Sequence, residues 1–496
     1  MKHILAVDQG TSSSRAIVFD SRLNSTGMAQ REIEQYYPKP GWVEHDAQEI
    51  WESVLATSRE AIANARISGS DISCIGITNQ RETIVVWDRK SGAPVHRAIV
   101  WQDRRTSDHV AALREIGREP DIQARTGLVL DAYFSASKLH WLLREIPNGR
   151  ARAEAGELAA GTIDSWLIFR LTHGRSHVTD VTNASRTMLM NLESGTWDPE
   201  MLGLFDIPAG ILPEIRPTSG ALGIADSEYF GAEIPITAAI GDQQAALFGQ
   251  LCTKPGMVKC TYGTGCFMLL HTGQSPVKSE NRLLTTVAWQ IGKNPREYAI
   301  EGSIFMGGAS IQWLRDGLKI IKSTPDVNAL AASVSDSGGV IVVPAFTGLG
   351  APYWDAEVTG TVFGLRRGTT AAHIARATLD GIAFQVSDLV SVMGTDTNIK
   401  ISTLRVDGGA CASDLLMQTQ ADILGVSVER PTQVESTAIG AAMMAGLAMG
   451  IWADLSELED IRQIDRVFTT TVPSRERKRR ITQWKNAVRL ARRWRS

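Results

Sequence analysis

Two short polar turns, about half a chain apart, constrain the fold most. ILAVDQGTSSSRAIVFD runs from Ile4 to Asp20, and GMVKCTYGTGCFMLL from Gly256 to Leu270. Each reads as two β-rich runs joined by glycine and hydroxyl residues, which predicts two hairpins of one design. A chain of 496 residues also exceeds a single ordinary core, since domains usually hold ~100–200 residues. The repeated hairpins therefore suggest that each half carries a version of one unit, with a ligand cleft between them. The boundary is expected near Gly249, giving domains of residues 1–249 and 250–496. No Pro- or Ser-rich linker lies there, so the halves should be tightly hinged rather than tethered.

Strand-like and helix-like segments alternate around the hairpins, as in LAAGTIDSWLIFRL, PITAAIGDQQAALFGQL and TLRVDGGA with a helix from Ser413 onward. This alternation predicts an α/β fold, with mixed sheets and helices on their faces. The apolar stretch AIGAAMMAGLAMGIWA, Ala438 to Ala453, is too short for a ~20-residue membrane span. Its small residues predict a buried helix packed closely on a sheet. In the basic run RERKRRITQWKNAVRLARRWRS, Ile481, Trp484, Val488 and Ala491 recur at helical spacing. That predicts a last helix burying one face and turning its arginines to water.

Apolar residues make up 43% and charged residues 21% of the chain, with a net charge of -3. This balance gives no reason to expect a nucleic acid or a membrane as the main partner. The five cysteines are odd in number and form no CxxC pair, which suits a reducing compartment. With no apolar signal core after Met1, a cytoplasmic protein is expected.

The chemistry should sit on the turns. DQGTSSSR, Asp8 to Arg15, combines a glycine, four hydroxyls and a guanidinium. Backbone amides in such a turn form an anion nest to which hydroxyls and Arg add donors, although Asp, Gly and Ser are turn residues in any case. YGTGC at Tyr262 to Cys266 supplies a second such turn, and together the two can grip a phosphate chain from opposite sides. Asp8 would stand beside them as a carboxylate able to hold Mg²⁺ through water. DGGA, Asp407 to Ala410, makes a third glycine-rich strand end. In GDQQAALFG, Asp242 is either a helix cap or a general base for phosphoryl transfer, and the residues alone leave both open. Arg81-Glu82 in GITNQRET, Trp101 in VWQDRR and Tyr133 in DAYFSASK could hold and wall a small polyol. An exposed ion pair and two core aromatics would explain them equally well.

The set as a whole resembles the FGGY family of carbohydrate kinases. The likeness is carried in order by DQGTSSSR, YPKPGWVEHD, GITNQRET, YFSASKLHWLLRE, VTDVTNASRTML, GDQQAALFGQLC, YGTGCFML, GASIQWLRD, VPAFTGLGAPYWD and RVDGGA. It implies the two-domain fold shared with actin and hexokinase, with duplicated ribonuclease H-like domains and an interdomain cleft. It also implies transfer of the γ-phosphate of MgATP to glycerol, giving sn-glycerol 3-phosphate and ADP. By this likeness Asp242 is the general base, and Arg81, Glu82, Tyr133, Asp242 and Gln243 take the glycerol hydroxyls. Trp101 and Phe267 are the aromatic walls. Thr11, Ser12, Ser13 and Arg15 fall on the first phosphate turn and Thr264 on the second. Gly308, Gln312, Gly409 and Ser413 fall on the nucleotide side, and Asp8 and Asp242 on the metal side. A homodimer or homotetramer is implied as well.

Two positions depart from the family pattern. Many relatives carry Asn-Asn where this chain has Ser413-Asp414, which puts the contact at Ser413 in question. ALGIADSEYFGAEIPI, residues 221–236, lacks the basic Gly-Gly-Lys-Gly-Gly-type loop with which relatives bind fructose 1,6-bisphosphate. It also lacks the loop His phosphorylated in others, so control by either route is expected to be weak or absent. The alternatives are a kinase for dihydroxyacetone, a pentulose or another small polyol or ketose, or an actin- or chaperone-like ATPase. The last would keep the phosphate turns without a polyol site.

Overall fold

The structure, a computed structural model, describes residues 2–494. In the first half, β1 (His3–Gln9), β2 (Ser13–Phe19) and β3 (Ser25–Glu32) form a meander. Then follow α1 (Ala47–Asn64), β4 (Ile72–Asn79), α2 (Ile163–Leu171), β5 (Ser219–Ala225), β6 (Ile234–Gly241) and α3 (Asp242–Gly249). Asp46 starts α1 by accepting the amides of Gln48 and Glu49, and the helix buries Ile50, Trp51, Val54 and Ile62. That stripe meets the apolar side chains of β1, β2 and β4, as helical spacing requires.

The second half contains β7 (Met257–Tyr262), β8 (Cys266–Gly273), β9 (Leu284–Trp289), β10 (Glu297–Ile304), α4 (Gly308–Asp316) and α5 (Ala371–Thr397). It continues with β11 (Thr403–Asp407), α6 (Asp414–Leu424), β12 (Ser427–Pro431), α7 (Ser436–Ala448), β13 (Ile464–Phe468) and α8 (Ser474–Ala491). The first sheet has the order β5-β6-β4-β1-β2-β3 and the second β9-β10-β8-β7-β11-β12-β13. In each, three parallel strands (β6, β4, β1; β12, β11, β7) lead into an antiparallel hairpin. One topology is used twice, as the paired turns predict.

A four-stranded antiparallel sheet (Glu44–His45, Ala98–Ile99, Ile84–Asp88, Leu158–Thr162) is inserted in the first half. It packs its own core of Phe134, Leu139, Met188 and Phe205 and carries the loops of Trp101 and Tyr133. Between the two sheets lie α3 and α7, in a cluster that draws apolar residues from both. Although α7 comes from the second half, it covers the first sheet. Ser219 and Thr237 donate to the carbonyls of Met444 and Ala445 at 2.8 and 3.1 Å. A Cβ on Gly440 would stand 1.9 Å from the carbonyl oxygen of Ala245 in α3, and one on Gly76 2.3 Å from that of Ala441. The Ala- and Gly-rich stretch is thus the buried helix expected, and its small residues let backbones touch.

In the basic α8, Trp484, Ala487, Val488 and Ala491 are buried and Ile481 is partly so. The run's final two residues lie outside the described ones. All five cysteines are buried and unbridged. Among the described residues no helix is long and apolar enough to cross a membrane.

Candidate active site

The parallel strands of the first sheet end together: Gln9 pairs with Asn79, and Asn79 with Gly241. The segments leaving them, Gly10–Ser12, Gln80–Thr83 and the start of α3, therefore share one edge, where α/β sheets place ligands. The Gly10 amide closes the first turn on the Ser13 carbonyl at 2.9 Å. Gln80 Nε2 ties the second segment to it, donating to Gln9 Oε1 and the Gly10 carbonyl, both at 3.1 Å.

Of the four hydroxyls in the first turn, Ser14 is buried against Ser53 at 2.7 Å and faces away. Thr11 and Ser13 are half-buried and Ser12 is exposed. Thr11 accepts from Trp101 Nε1 at 2.9 Å, and Ser13 from Gln30 at 3.0 Å. Arg15 bonds Gln30 and pairs with Glu435, just before α7. Burial pushes the Asp8 carboxyl up to about 7; Arg15 opposes this, while Asp242 and Glu435 reinforce it.

Arg81 and Glu82 are not the exposed ion pair that their spacing allows: they are 3% and 1% exposed. Glu82 adopts φ 62°, and its carbonyl accepts from the Ser135 hydroxyl at 2.9 Å. Arg81 Nε lies 3.1 Å from Asp242 Oδ1, and its Nη1 and Nη2 donate to the two oxygens of Glu301 at 2.6 and 2.9 Å. Arg186 bonds Glu82 at 2.6 Å and Glu301 at 3.2 Å. Burial raises both carboxyls in principle. Arg186 and Arg81 outweigh it at Glu301, holding that group down to about 2, whereas Glu82 stays above its ordinary value. Burial also works against the Arg81 cation, yet Glu301 and Glu82 keep it protonated well above the usual range.

Asp242 is the first residue of α3, following an N-cap at Gly241, so it does not cap from the usual position. Its carboxylate accepts the Gln243 amide at 2.7 Å and is side-on to Arg81. A Cβ on Gly241 would press within 2.7 Å of Arg81 Cδ. Trp101 and Tyr133 meet edge to face, with centroids 5.6 Å apart.

The second sheet contributes one face. Register places Lys259 opposite Leu269, Thr261 opposite Phe267 and beside Asp407, and Phe267 and Leu269 opposite Ser303 and Glu301. Their side chains thus share a side of the sheet. The opposite face, with Cys260, Tyr262, Met268 and Val406, is core. The turn holding Thr264 is braced by the start of α4, because the Gly308 amide donates to the Gly263 carbonyl at 2.8 Å and the Ala309 amide to the Thr264 carbonyl at 3.0 Å. Gly308 thus spends its amide on the turn itself. Gln312 is exposed one turn along α4. Gly408, at φ 83°, lies where a Cβ would be 2.7 Å from the Tyr262 carbonyl oxygen, while nothing lies within 4 Å of one on Gly409. Ser413 opens the helix that follows the third glycine-rich turn. It is buried, caps α6 by accepting the Leu416 amide at 3.1 Å, and bonds Asn328.

Sequence reasoning missed Arg186, Lys259, Glu301 and Glu435, which supply charge around the expected residues.

A family model described as FGGY family of carbohydrate kinases, N-terminal domain, matches residues 3–249, and the corresponding C-terminal domain model matches residues 258–449. The chain belongs to the FGGY family of carbohydrate kinases. Among FGGY relatives, a glycerol kinase of Paraburkholderia phytofirmans is 54% identical over 493 residues, covering 99% of both chains. One of Rhodopirellula baltica is 56% identical over 495 residues, covering 100% of this chain and 92% of the relative. A crystal structure of Plasmodium falciparum glycerol kinase with ADP superposes with a TM-score of 0.94 at 38% identity, covering 99% of this FGGY chain and 98% of that one. A ligand-bound xylulose kinase from Lactobacillus acidophilus, at 23% identity and TM-score 0.87 over 99% and 97% of the two chains, shares the fold.

Proposed function

We propose that the protein transfers the γ-phosphate of ATP to glycerol, giving sn-glycerol 3-phosphate and ADP. Glycerol kinases at 54–56% identity over nearly the whole chain support this. The observation that carries it is the bond from Trp101 Nε1 to Thr11 Oγ1. Through it the wall of a small polyol site and the first phosphate turn become one unit, with Asp242 and Arg81 on the same sheet edge.

In this mechanism Asp242 takes the proton from the attacking hydroxyl, and Arg81, 3.1 Å away, fixes the orientation of its carboxylate. Arg81, Glu82, Tyr133 and Gln243 bind the hydroxyls, and Trp101 and Phe267 cover the C–H faces. Thr11, Ser12, Ser13 and Thr264 hold phosphate oxygens from two sides, and Arg15 would trade Glu435 for a phosphate oxygen. The open space at Gly409 would admit the nucleoside, and family likeness puts Gly308 and Gln312 on the same nucleotide side. Ser413 supports that region as a helix cap. Closure of the two halves over both substrates would keep water from the transferred group.

The charges of Asp242 and Glu435 both work against ionisation of Asp8, which a hard divalent cation bound by oxygen ligands would relieve. We infer that Asp8 and Asp242 would hold Mg²⁺ through water. The ion's contribution is neutralisation of phosphate charge. Asp8 must give up the proton that burial keeps on it to about pH 7. A cytoplasmic setting, supported by five buried, unbridged cysteines, and assembly as a homodimer or homotetramer, supported by family likeness alone, complete the proposal.

A coupled ADP-release assay across glycerol, dihydroxyacetone, xylulose and ribulose tests it. Glycerol should give the highest kcat/KM. ATP turnover unaffected by glycerol, or a clear preference for another substrate, would refute the assignment.

A further inference from the structure

Lys259 is fully buried on β7, on the side of the second sheet that faces the cleft, and the mechanism above leaves it without a task. Its Nζ donates to Gln243 Oε1 at 2.6 Å and to Thr261 Oγ1 at 2.8 Å. The first of these bonds crosses from the second half of the chain to the start of α3. Asp407 is register partner to Thr261 on the next strand; it is 2% exposed, and neither of its carboxylate oxygens has a hydrogen-bond partner. A buried ammonium needs compensating charge. Burial lowers the proton affinity of Lys259, and Asp407 leads the groups that oppose this, ahead of Asp242 and Glu301.

The amide of Gln243 has an acceptor end and a donor end, and an ammonium can bind only the oxygen. With Oε1 engaged by Lys259, the NH₂ is the group left for the cleft. Asp242 and Glu82 offer carboxylate acceptors nearby, so a donor at Gln243 complements them around a hydroxyl, which both gives and accepts.

We propose that Lys259 is a positioning residue of the polyol site, holding the Gln243 amide from the opposite domain so that its NH₂ meets a substrate oxygen, with Asp407 as counter-charge. The proposal rests on the polyol-kinase function above. Because the bond joins the two domains, it ties polyol affinity to the separation of the cleft walls.

The test compares wild type, Lys259→Met, Lys259→Arg, Gln243→Glu and the Lys259→Met/Gln243→Glu double variant, using whichever polyol wild type turns over best. A wrong choice of glycerol is then visible in the wild-type panel and leaves the Lys259 comparison intact. Loss of a charge-assisted hydrogen bond should raise the polyol KM of Lys259→Met about ten- to a hundredfold, with the KM for ATP changed less than about twofold. Lys259→Arg, which keeps a charged donor, should recover most of the loss. Gln243→Glu can still accept from Lys259 but has no NH₂, so it should show a similar rise, and the double variant should add little. An unchanged polyol KM in Lys259→Met with an unchanged melting temperature would overturn the proposal, as would a parallel rise of both KM values. Wild-type polyol binding by Gln243→Glu would overturn it too, and that variant decides the matter if Lys259→Met fails to fold.

Discussion

Glu301→Gln strikes the point where the two domains share charge. The native carboxylate accepts three bonds, at 2.6 and 2.9 Å from Arg81 and 3.2 Å from Arg186. Glutamine keeps the volume but removes the charge and turns an N–H toward a guanidinium. Removing one partner of a buried ion pair costs about 3–5 kcal/mol. Asp242 still faces Arg81 and Glu82 still faces Arg186, so the lower end applies. The proton balance gives a similar figure. Folding moves the Glu301 carboxyl from its ordinary 4.5 to about 2, and at about 1.4 kcal/mol per pH unit this shift stabilises the fold by about 3 kcal/mol. Because the folded value is the lower one, that stability is present above pH 4.5 and is lost as pH falls from 4.5 through about 2. Urea unfolding of wild type and Glu301→Gln at pH 7, 4 and 3 measures the gap, with midpoints compared because two domains need not unfold in one step. The variant should unfold at markedly lower urea at pH 7, with the gap narrowing at pH 3. Equal midpoints at pH 7, or a gap that does not change with acid, would refute the account of Glu301.

Asp242→Asn should fold and retain glycerol while losing about 10²–10⁴ in kcat; near-normal turnover in steady-state kinetics would remove it as the base. Trp101→Phe keeps an aromatic wall but deletes the bond to Thr11, so a rise in KM equivalent to about 1 kcal/mol is expected, and unchanged kinetics would show the bond to be idle. Gly440→Val forces α3 and α7 apart and should cost about 1–3 kcal/mol or more, read as a lower melting temperature. Activity should be indifferent to fructose 1,6-bisphosphate, since residues 221–236 are the end of β5, a one-turn helix (Ser227–Phe230) capped by Asp226 and the start of β6; strong inhibition would contradict this.

What could be read in the sequence was local. Glycine and hydroxyl residues declare a turn wherever they sit, so both hairpins were visible, as was the acid that follows the apolar run PITAAIG. Glu301 and Lys259 gave no such signal, because EYAIEGSI and MVKCTY read as ordinary strands, and Arg186 stood within VTDVTNASRTML with nothing local to mark its partners. Their importance comes from register between strands and from contact across domains, neither of which is written in a short window. Arg81-Glu82 was open to a surface explanation for the same reason: the groups that bury it are far away in the chain. At Ser413 the capping preference of serine is what the structure displays, and a serine before a helix announces that much in any sequence. The small residues of α7 announced burial but not the sheet they would meet.

The position of α7 also bears on how the chain can be divided. Residues 1–249 contain every strand of the first sheet but not the helix that covers it, so expressed alone they would leave that apolar face to water. Residues 250–496 would carry a helix whose Gly440 had lost its seat on Ala245. Neither fragment is expected to be soluble by itself, and coexpression should restore both. Inheritance of the halves is correspondingly linked: a chimera that takes its second half from a relative must also take a helix able to fit against Gly76 and Gly249 of the first.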